Sequence, residues 1–227
     1  MSAAASKSAT GDAVPANPPA DCPLCPRLVD FRKANAKKFP DYANAPAPTF
    51  GVANPALLIV GLAPGLHGAN KTGRPFTGDA SGDLLYATLG KFRFSNGKYD
   101  GRADDGVKLK RTAITNVVRC VPPQNKPVGE EIRTCRPFLI SQIDAYPKLR
   151  AILCLGKIAH DSTLAALGMR QKEAPFAHGA RHDVPTRRFV VFDSYHCSRY
   201  NVNTRRLTEE MFDNVFAAIR KHIDDAR

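Results

Sequence analysis

Four short segments of the chain are almost continuously apolar, and each is bounded by Gly, Pro or charged residues. They cover 56–63, 112–118, 151–156 and 188–194. Apolar runs of this length without polar alternation are typical of strands that are buried on both faces, as in a parallel sheet. Each run therefore predicts one strand.

Segments with apolar residues at helical spacing separate these strands. They cover 81–92, 129–147, 157–168 and 208–226, and a basic stretch at 26–39 has the same spacing. Within the segment 129–147, Pro137 must either start a new helix or kink the helix, because proline has no amide donor. The alternation predicts an α/β fold, a three-layer sandwich with a central, mostly parallel four-stranded sheet flanked by helices.

The chain as a whole divides into an N-terminal tail and one domain, and one segment of the domain is expected to extend from its surface. Residues 1–20 are rich in Ala, Ser and Pro without periodicity, which predicts a disordered N-terminal tail. Residues 21–227 are expected to form a single domain with a sizeable core. The polar, Gly-rich segment 94–111 is expected to be a surface excursion from that domain.

Composition excludes two classes of protein and suggests a partner. The longest apolar run, 56–60, is too short to cross a bilayer, and the first residues lack the apolar stretch of a secretory signal, so we expect a cytoplasmic protein. Thirty-three Lys and Arg against 21 Asp and Glu give a formal net charge of +12. This excess favours a polyanionic partner such as nucleic acid, although many basic proteins are merely soluble.

Four of the six cysteines form a candidate metal set. Cys22 and Cys25 make a CxxC, and Cys120 and Cys135 flank a Pro-rich loop. Zinc ribbons usually bring two compact CxxC pairs, whereas this set has one, and four cysteines also suit a [4Fe–4S] cluster. Cys154 lies in an apolar run and is predicted to be a small buried hydrophobe.

Candidate chemistry follows three of the predicted strands. The loop after the first strand, 61–82, has five glycines, which suggest close backbone approach to a ligand, but no nucleotide-binding fingerprint. Asn116 ends the second strand, and a loop with His196 and several arginines follows the fourth. The carboxyl ends of parallel strands meet at one edge of the sheet, so these loops are expected to converge.

These motifs together resemble the uracil-DNA glycosylase superfamily. The resemblance rests on GLAPGLHGANKTGRPFTGD, on TNVVRC, on the spaced cysteines and on the His196 loop, and it covers roughly residues 20–226. It is closest to family 5, the B-type iron–sulfur enzymes. The resemblance implies a monofunctional hydrolase that removes uracil from DNA in base excision repair, a [4Fe–4S] cluster held by the four cysteines, and a monomeric, nucleoid-associated bacterial protein.

The resemblance also implies a role for individual residues. Asp79 resembles the family 5 carboxylate that activates water or stabilises the sugar cation. The better-known branch of the superfamily has its Asp at a different position, two residues after the first Gly of the motif, and that position is Ala63 here. The alternative for Asp79 is a helix N-cap. His196 resembles the histidine that donates to the base O2, and a lone histidine is otherwise a surface or satisfied core residue.

Four further residues resemble the lining of the base pocket. Phe76 resembles the aromatic that stacks on the flipped base, and its alternative is a core residue. Asn116 resembles the amide that recognises the base edge, and its alternative is a turn residue at a strand end. His67 resembles a further lining residue. Gly65 stands where uracil-specific relatives have a Tyr, so we expect tolerance of 5-substituted uracils, hypoxanthine or xanthine.

The basic loops are expected to hold DNA phosphates. Their side chains contribute position rather than base specificity, and the candidates are Lys71, Arg74, Arg199, Arg205 and Arg206. Two departures from the family pattern affect the loop that carries His196. Cys197 stands where the family usually has a proline, and it is either a reactive thiol or a small side chain that fills space. Arg205 stands where Gly is common. Two other functions stay open, a non-catalytic DNA-binding module on the same fold and a small-molecule or nucleotide hydrolase.

Overall fold

The computed structural model describes residues 17–185 and 187–225. Most of the predicted tail, residues 1–16, lies outside the described residues. Asn17 belongs to the folded domain, because its side-chain oxygen accepts hydrogen bonds from the Thr49 amide at 2.9 Å and from the Arg119 guanidinium at 3.1 Å.

Helices and strands alternate along the described residues, as the sequence predicts. The helices are α1 Pro26–Lys38, α2 Ala69–Thr72, α3 Ala80–Lys91, α4 Gly129–Asp144, α5 Lys157–Ala166, α6 Arg199–Asn203 and α7 Glu209–Asp225. The strands are β1 Phe50–Gly51, β2 Leu57–Gly61, β3 Ser95–Asn96, β4 Lys108–Leu109, β5 Thr112–Asn116, β6 Ala151–Leu155, β7 Arg181–Asp183 and β8 Val190–Ser194. No helix in these two described stretches is both long enough and apolar enough to cross a membrane.

The central sheet is mixed and has six strands in the order β1-β5-β2-β6-β8-β7. The inner four strands are parallel and are the four that the apolar runs predict. The predicted number of four strands is wrong because β1 and β7 add antiparallel edges that are short or polar. An edge strand faces solvent on one side and carries no continuous apolar run.

Alternate residues of each inner strand enter two separate cores, which confirms the three layers. On one face Leu57 and Ile59 pack with apolar residues of α3 and α7, and on the other Leu58 and Val60 pack with residues of α1, α4 and α5. Cys154 is fully buried in the second core, as predicted. Two-sided burial explains why the inner strands lack polar alternation.

Two segments sharpen or correct their predictions. Helix α4 runs through Pro137 as one helix, so the alternative of a new helix that starts at Pro137 is excluded. The excursion at 94–111 contains the β3–β4 pair and contributes to the core, because Phe94, Val107 and Leu109 are buried and the Tyr99 ring stacks on that of Tyr86 at 4.4 Å.

Candidate active site

A cavity of about 340 Å³ opens at the carboxyl edge of the parallel strands. The loop after β2 contributes Gly65, Phe76 and Asp79 to its wall, β5 ends on it at Asn116, and the loop after β8 contributes His196. The predicted convergence of the three loops is therefore confirmed.

Asn116 presents a free amide to this cavity. The residue is 3% exposed, and its side chain has no hydrogen-bond partner among residues 17–185 and 187–225. It stands beside Gly61 in the strand register, where an added Cβ would lie 2.5 Å from the Asn116 Oδ1 and 2.6 Å from the Phe76 ring. The amide opens onto the cavity, so a bound ligand can supply both its donor and its acceptor partner.

The two carboxylate oxygens of Asp79 have different surroundings. As the N-cap of α3 it accepts a hydrogen bond on Oδ1 from the Ser81 amide at 3.0 Å, so the capping alternative is confirmed. Its Oδ2 lies over Gly65 and Gly68, where an added Cβ would be 3.3 Å and 2.4 Å from this oxygen respectively. The cap therefore orients the carboxylate and leaves the second oxygen at the cavity, so capping does not exclude a chemical role.

His196 and Phe76 form another part of the wall. Their rings are 5.8 Å apart at 27°, and the Phe76 ring is 7% exposed, so it belongs to the core as well as to the cavity. Burial lowers the pKa of His196 below its ordinary value, although the charge of Asp79 opposes this shift. A neutral imidazole can still donate one hydrogen bond to an acceptor in the cavity.

The predicted phosphate-contacting residues divide into two groups. Exposed side chains are found at Lys71, Arg199, Arg205 and Arg206. Arg74 is 5% exposed, and its guanidinium is bonded to both carboxylate oxygens of Asp105 at 2.7 and 2.6 Å. The prediction for Arg74 is therefore wrong, because the side chain is buried and already paired.

Comparison with known proteins identifies the family. The sequence model of the uracil DNA glycosylase superfamily matches residues 48–220. A type-5 uracil-DNA glycosylase of Thermus thermophilus is 42% identical over 205 residues, which are 88% of this chain and 93% of that protein. This chain belongs to the uracil-DNA glycosylase superfamily.

Two further relatives indicate to which branch of the superfamily this chain is most similar. A type-5 uracil-DNA glycosylase of Pyrobaculum aerophilum is 39% identical over 199 residues, 86% of each protein. A type-4 uracil-DNA glycosylase of Sulfurisphaera tokodaii is 31% identical over 174 residues, 74% of this chain and 72% of that protein. The higher identity to type-5 members confirms the resemblance to family 5.

His67 lies beside the cavity that contains Asn116 and His196, and it is not part of the wall of that cavity. Its Nδ1 is 3.0 Å from the Tyr42 hydroxyl, and it lines a neighbouring, more polar cavity of about 540 Å³ together with Lys71 and Arg199. The two cavities share Asp79.

The two departures in the His196 loop have a structural explanation. Cys197 is fully buried with its thiol 3.4 Å from the Ser81 carbonyl oxygen, and burial raises its pKa, so the thiol is a filler and not a nucleophile. Arg205 has φ of 56°, the left-handed conformation that glycine adopts without strain.

Asn125 is a wall residue of the cavity that sequence reasoning missed. It belongs to the loop between Cys120 and Cys135, and both Asn125 and the preceding Gln124 have positive φ, at 57° and 56°. The only available signal was the concentration of Pro and amide residues in that loop. Its position over the sheet edge depends on tertiary packing, which a local pattern does not encode.

The four predicted metal ligands come from three segments that meet in space: the residues just before α1, the segment after β5, and α4. Cys22, Cys25, Cys120 and Cys135 line one small apolar cavity. Burial is the main cause that raises the pKa of Cys25 to about 11 and of Cys120 to about 12, so thiolates here need a compensating positive charge. The buried guanidinium of Arg32 lies 3.4 Å from the Cys120 sulfur. A buried cation beside the thiols fits a site that becomes negatively charged when its sulfurs bind metal.

Proposed function

We propose that this protein is a DNA glycosylase that hydrolyses the N-glycosidic bond of uracil in DNA, as the first step of base excision repair. The carrying observation is the cavity in which the free Asn116 amide, the Asp79 Oδ2 and His196 converge, in a chain of the uracil-DNA glycosylase superfamily. The type-5 and type-4 names of its relatives support uracil as the base.

Four wall residues match requirements of the reaction. The base must leave the duplex and enter a pocket, where Phe76 offers a ring face and Asn116 a donor and an acceptor for the base edge. As the C1′–N bond breaks, its electron pair moves to the base and negative charge develops on O2. Neutral His196 donates to this oxygen.

Asp79 acts on the sugar side of the same bond. The deoxyribose becomes cationic as the base departs, and a carboxylate with one oxygen free stabilises that charge and orients the attacking water. Water supplies hydroxide to C1′, and its proton leaves through the carboxylate to solvent. No step needs a lysine that attacks the sugar, which agrees with a monofunctional hydrolase.

We also propose a base range wider than uracil. Gly65 leaves the wall of the cavity open, and an added side chain here would press on the Asp79 carboxylate at 3.3 Å. The expected additional substrates are 5-substituted uracils, hypoxanthine and xanthine. Cleavage of uracil alone by the purified protein would overturn this extension but not the main proposal.

The cysteine set is proposed to hold a [4Fe–4S] cluster with a structural role. Four thiols that line one small apolar cavity, with a single CxxC pair among them, suit such a cluster better than a zinc ribbon. The cluster would connect α1 and α4 beside the loop with Asn125. A brown protein that loses its colour in Cys120→Ser supports this, whereas a colourless protein containing zinc contradicts it.

The enzyme is further proposed to act as a monomer on chromosomal DNA in the cytoplasm. All the predicted chemistry comes from one chain, so no second copy is required to complete the cavity. Sedimentation at working concentration tests this, and a stable dimer with the cavity at its interface would contradict it.

The deciding experiment uses uracil-containing single- and double-stranded oligonucleotides, followed by alkaline cleavage of abasic sites. The key variant is Asp79→Asn, because asparagine caps a helix as well as aspartate and so only the charge is lost. We expect loss of base release with DNA binding retained. Asp183→Asn, on the exposed edge strand β7, is the matched control.

Two outcomes would contradict the proposal. Absence of strand breaks with uracil in the unmodified protein would favour the alternative of a non-catalytic DNA-binding module. Unchanged base release in both Asp79→Asn and His196→Ala would place the chemistry elsewhere in the molecule.

A further inference from the structure

The loop that carries His196 begins at Tyr195, whose ring contacts two residues from other parts of the chain. The His178 ring stacks on it at 5.0 Å and 20°. The Arg206 guanidinium lies 4.9 Å from the same ring centroid. Tyr195 immediately precedes His196, so whatever fixes Tyr195 limits the position of the imidazole at the cavity.

His178 also holds the backbone of this loop. The Tyr195 amide donates a hydrogen bond to the His178 Nδ1 at 3.2 Å. A backbone N–H can only donate, so Nδ1 is the unprotonated nitrogen. The Ser194 hydroxyl donates to the Tyr195 carbonyl oxygen at 2.8 Å, so both backbone groups of Tyr195 have partners.

The segment that carries His178 is itself anchored to strand β8. The Gly179 amide donates to the Asp193 carbonyl oxygen at 2.9 Å, and the Asp193 amide donates to the Ala180 carbonyl oxygen at 3.0 Å. The fully buried Asp193 carboxylate in turn holds His160 at 2.7 Å and His182 at 2.9 Å. His178 therefore extends from a fixed edge of the sheet and is not a free loop side chain.

The electrostatic state of His178 agrees with this geometry. Burial lowers its pKa, although a hydrogen bond to the Met211 backbone opposes that shift. The neutral ring keeps Nδ1 available as an acceptor for the Tyr195 amide.

We propose that His178 and Arg206 clamp Tyr195 and thereby position His196 for the chemical step. His178 and Arg206 are positioning residues, since neither lines the cavity. This assignment rests on the proposed glycosylase function. It also gives Arg206 a different role from the phosphate contact that the sequence predicts, because its guanidinium faces an aromatic ring.

Two substitutions at His178 separate its hydrogen bond from its ring. His178→Asn keeps an acceptor at the place of Nδ1 without the ring, and His178→Phe keeps a stacking ring without an acceptor. We expect the single-turnover rate on uracil DNA to fall about three- to tenfold in His178→Phe, the loss of one hydrogen bond, and to be largely retained in His178→Asn. DNA affinity should stay unchanged in both, because neither change touches the DNA surface.

Matched substitutions test Arg206. Arg206→Met should lower the single-turnover rate and leave the salt dependence of DNA binding unchanged. Arg205→Met removes the same charge one residue earlier and should reduce the slope of log K against log salt by about 0.9, the value for one phosphate contact. In a Tyr195→Leu background, Arg206→Met should have no further effect on the rate.

The possible results distinguish this proposal from the proposed function. Uracil release by the unmodified protein with wild-type rates in both His178→Phe and Arg206→Met overturns the clamp alone. A reduced salt slope with an unchanged rate in Arg206→Met assigns that residue to a phosphate instead. Thermal unfolding of each variant shows whether it is folded, and if His178→Phe is not, the Arg206 pair decides the question.

Discussion

Three of the seven described non-glycine residues with positive φ belong to the candidate site or its expected phosphate contacts. Phe76, Asn125 and Arg205 all have positive φ, between 53° and 57°, although none is glycine. Such conformations cost on the order of 1 kcal/mol or more and persist where surrounding contacts impose them. The strain at Phe76 and Asn125 therefore accompanies their position at the cavity, whereas at Arg205 it accompanies an exposed cation.

Arg205→Gly should make the protein more stable and its DNA binding weaker. Glycine relieves the left-handed strain, for a gain of up to about 1 kcal/mol, and removes one charge that we expect to contact a DNA phosphate. Urea unfolding measures the first effect and salt titration of binding the second. Arg199→Gly loses the same charge from the first turn of α6 without any strain to relieve, so it should be destabilising. Equal stability changes in the two variants would contradict the strain argument.

Gly68→Ala should reduce base release while the fold is preserved. The added Cβ would lie 2.4 Å from the Asp79 Oδ2 and must displace it. A displacement on the order of 1 Å at a catalytic group can cost about a hundredfold in rate. Single-turnover kinetics measure this loss, and Gly90→Ala is the control, because its Cβ would be 3.9 Å from the Ser95 Oγ. A wild-type rate in Gly68→Ala would show that the carboxylate position is not critical.

At the scale of elements, a buried ion pair fastens the 94–111 excursion to the loop after β2. Arg74 and Asp105 bond through both carboxylate oxygens, and their side chains are 6% and 1% exposed. The Arg74 guanidinium also donates to the Thr77 hydroxyl at 2.7 Å, and Thr77 lies two residues before Asp79. The excursion thereby supports the loop that ends in Asp79, the proposed catalytic carboxylate.

Asp105→Asn should destabilise the protein by about 3–5 kcal/mol, because it leaves a buried guanidinium without its counter-charge. The Arg74 hydrogen bonds lower the pKa of Asp105 to about 2 from its ordinary 3.8. A lowered folded-state pKa contributes stability that is complete above about pH 4 and is lost as the pH falls through about 2. Urea unfolding of both proteins across this range should show their stability difference shrinking towards low pH. A difference that is constant with pH would contradict the assignment.

The elements that the sequence predicts are those whose burial leaves a local pattern. Continuous apolar runs mark the inner strands because both of their faces enter a core. The edge strand β7, Arg-His-Asp, has no such pattern and was missed. The convergence of the loops that carry Asp79, Asn116 and His196 could be predicted from topology, which brings strand ends together, whereas the choice of these residues within the loops came from the family resemblance. Asn125 and the Arg74–Asp105 pair could not, since they depend on contacts between distant segments.

At the scale of the whole molecule, the net charge of +12 is less informative than its distribution. Lys71 and Arg199 line the cavity next to the one with Asn116 and His196, while Arg74 and Arg32 are buried and serve the fold. We expect Lys71→Ala and Arg199→Ala each to reduce the salt slope of DNA binding by about 0.9. Lys221→Ala, on the exposed surface of α7, is the control. An equal effect in all three would mean that only total charge matters.

The joining of α1 to α4 has a consequence for how the chain is made. Arg27 bonds Glu131 across 104 positions of sequence, and Cys22 meets Cys135 in the same corner. A ribosome needs on the order of 5 to 20 s to make the intervening stretch. Until then Cys22 and Cys25 cannot meet Cys135, and loading of the proposed cluster must wait for α4 to emerge. The N-terminal arm is therefore among the first parts of the domain to be synthesised and among the last to reach its final place.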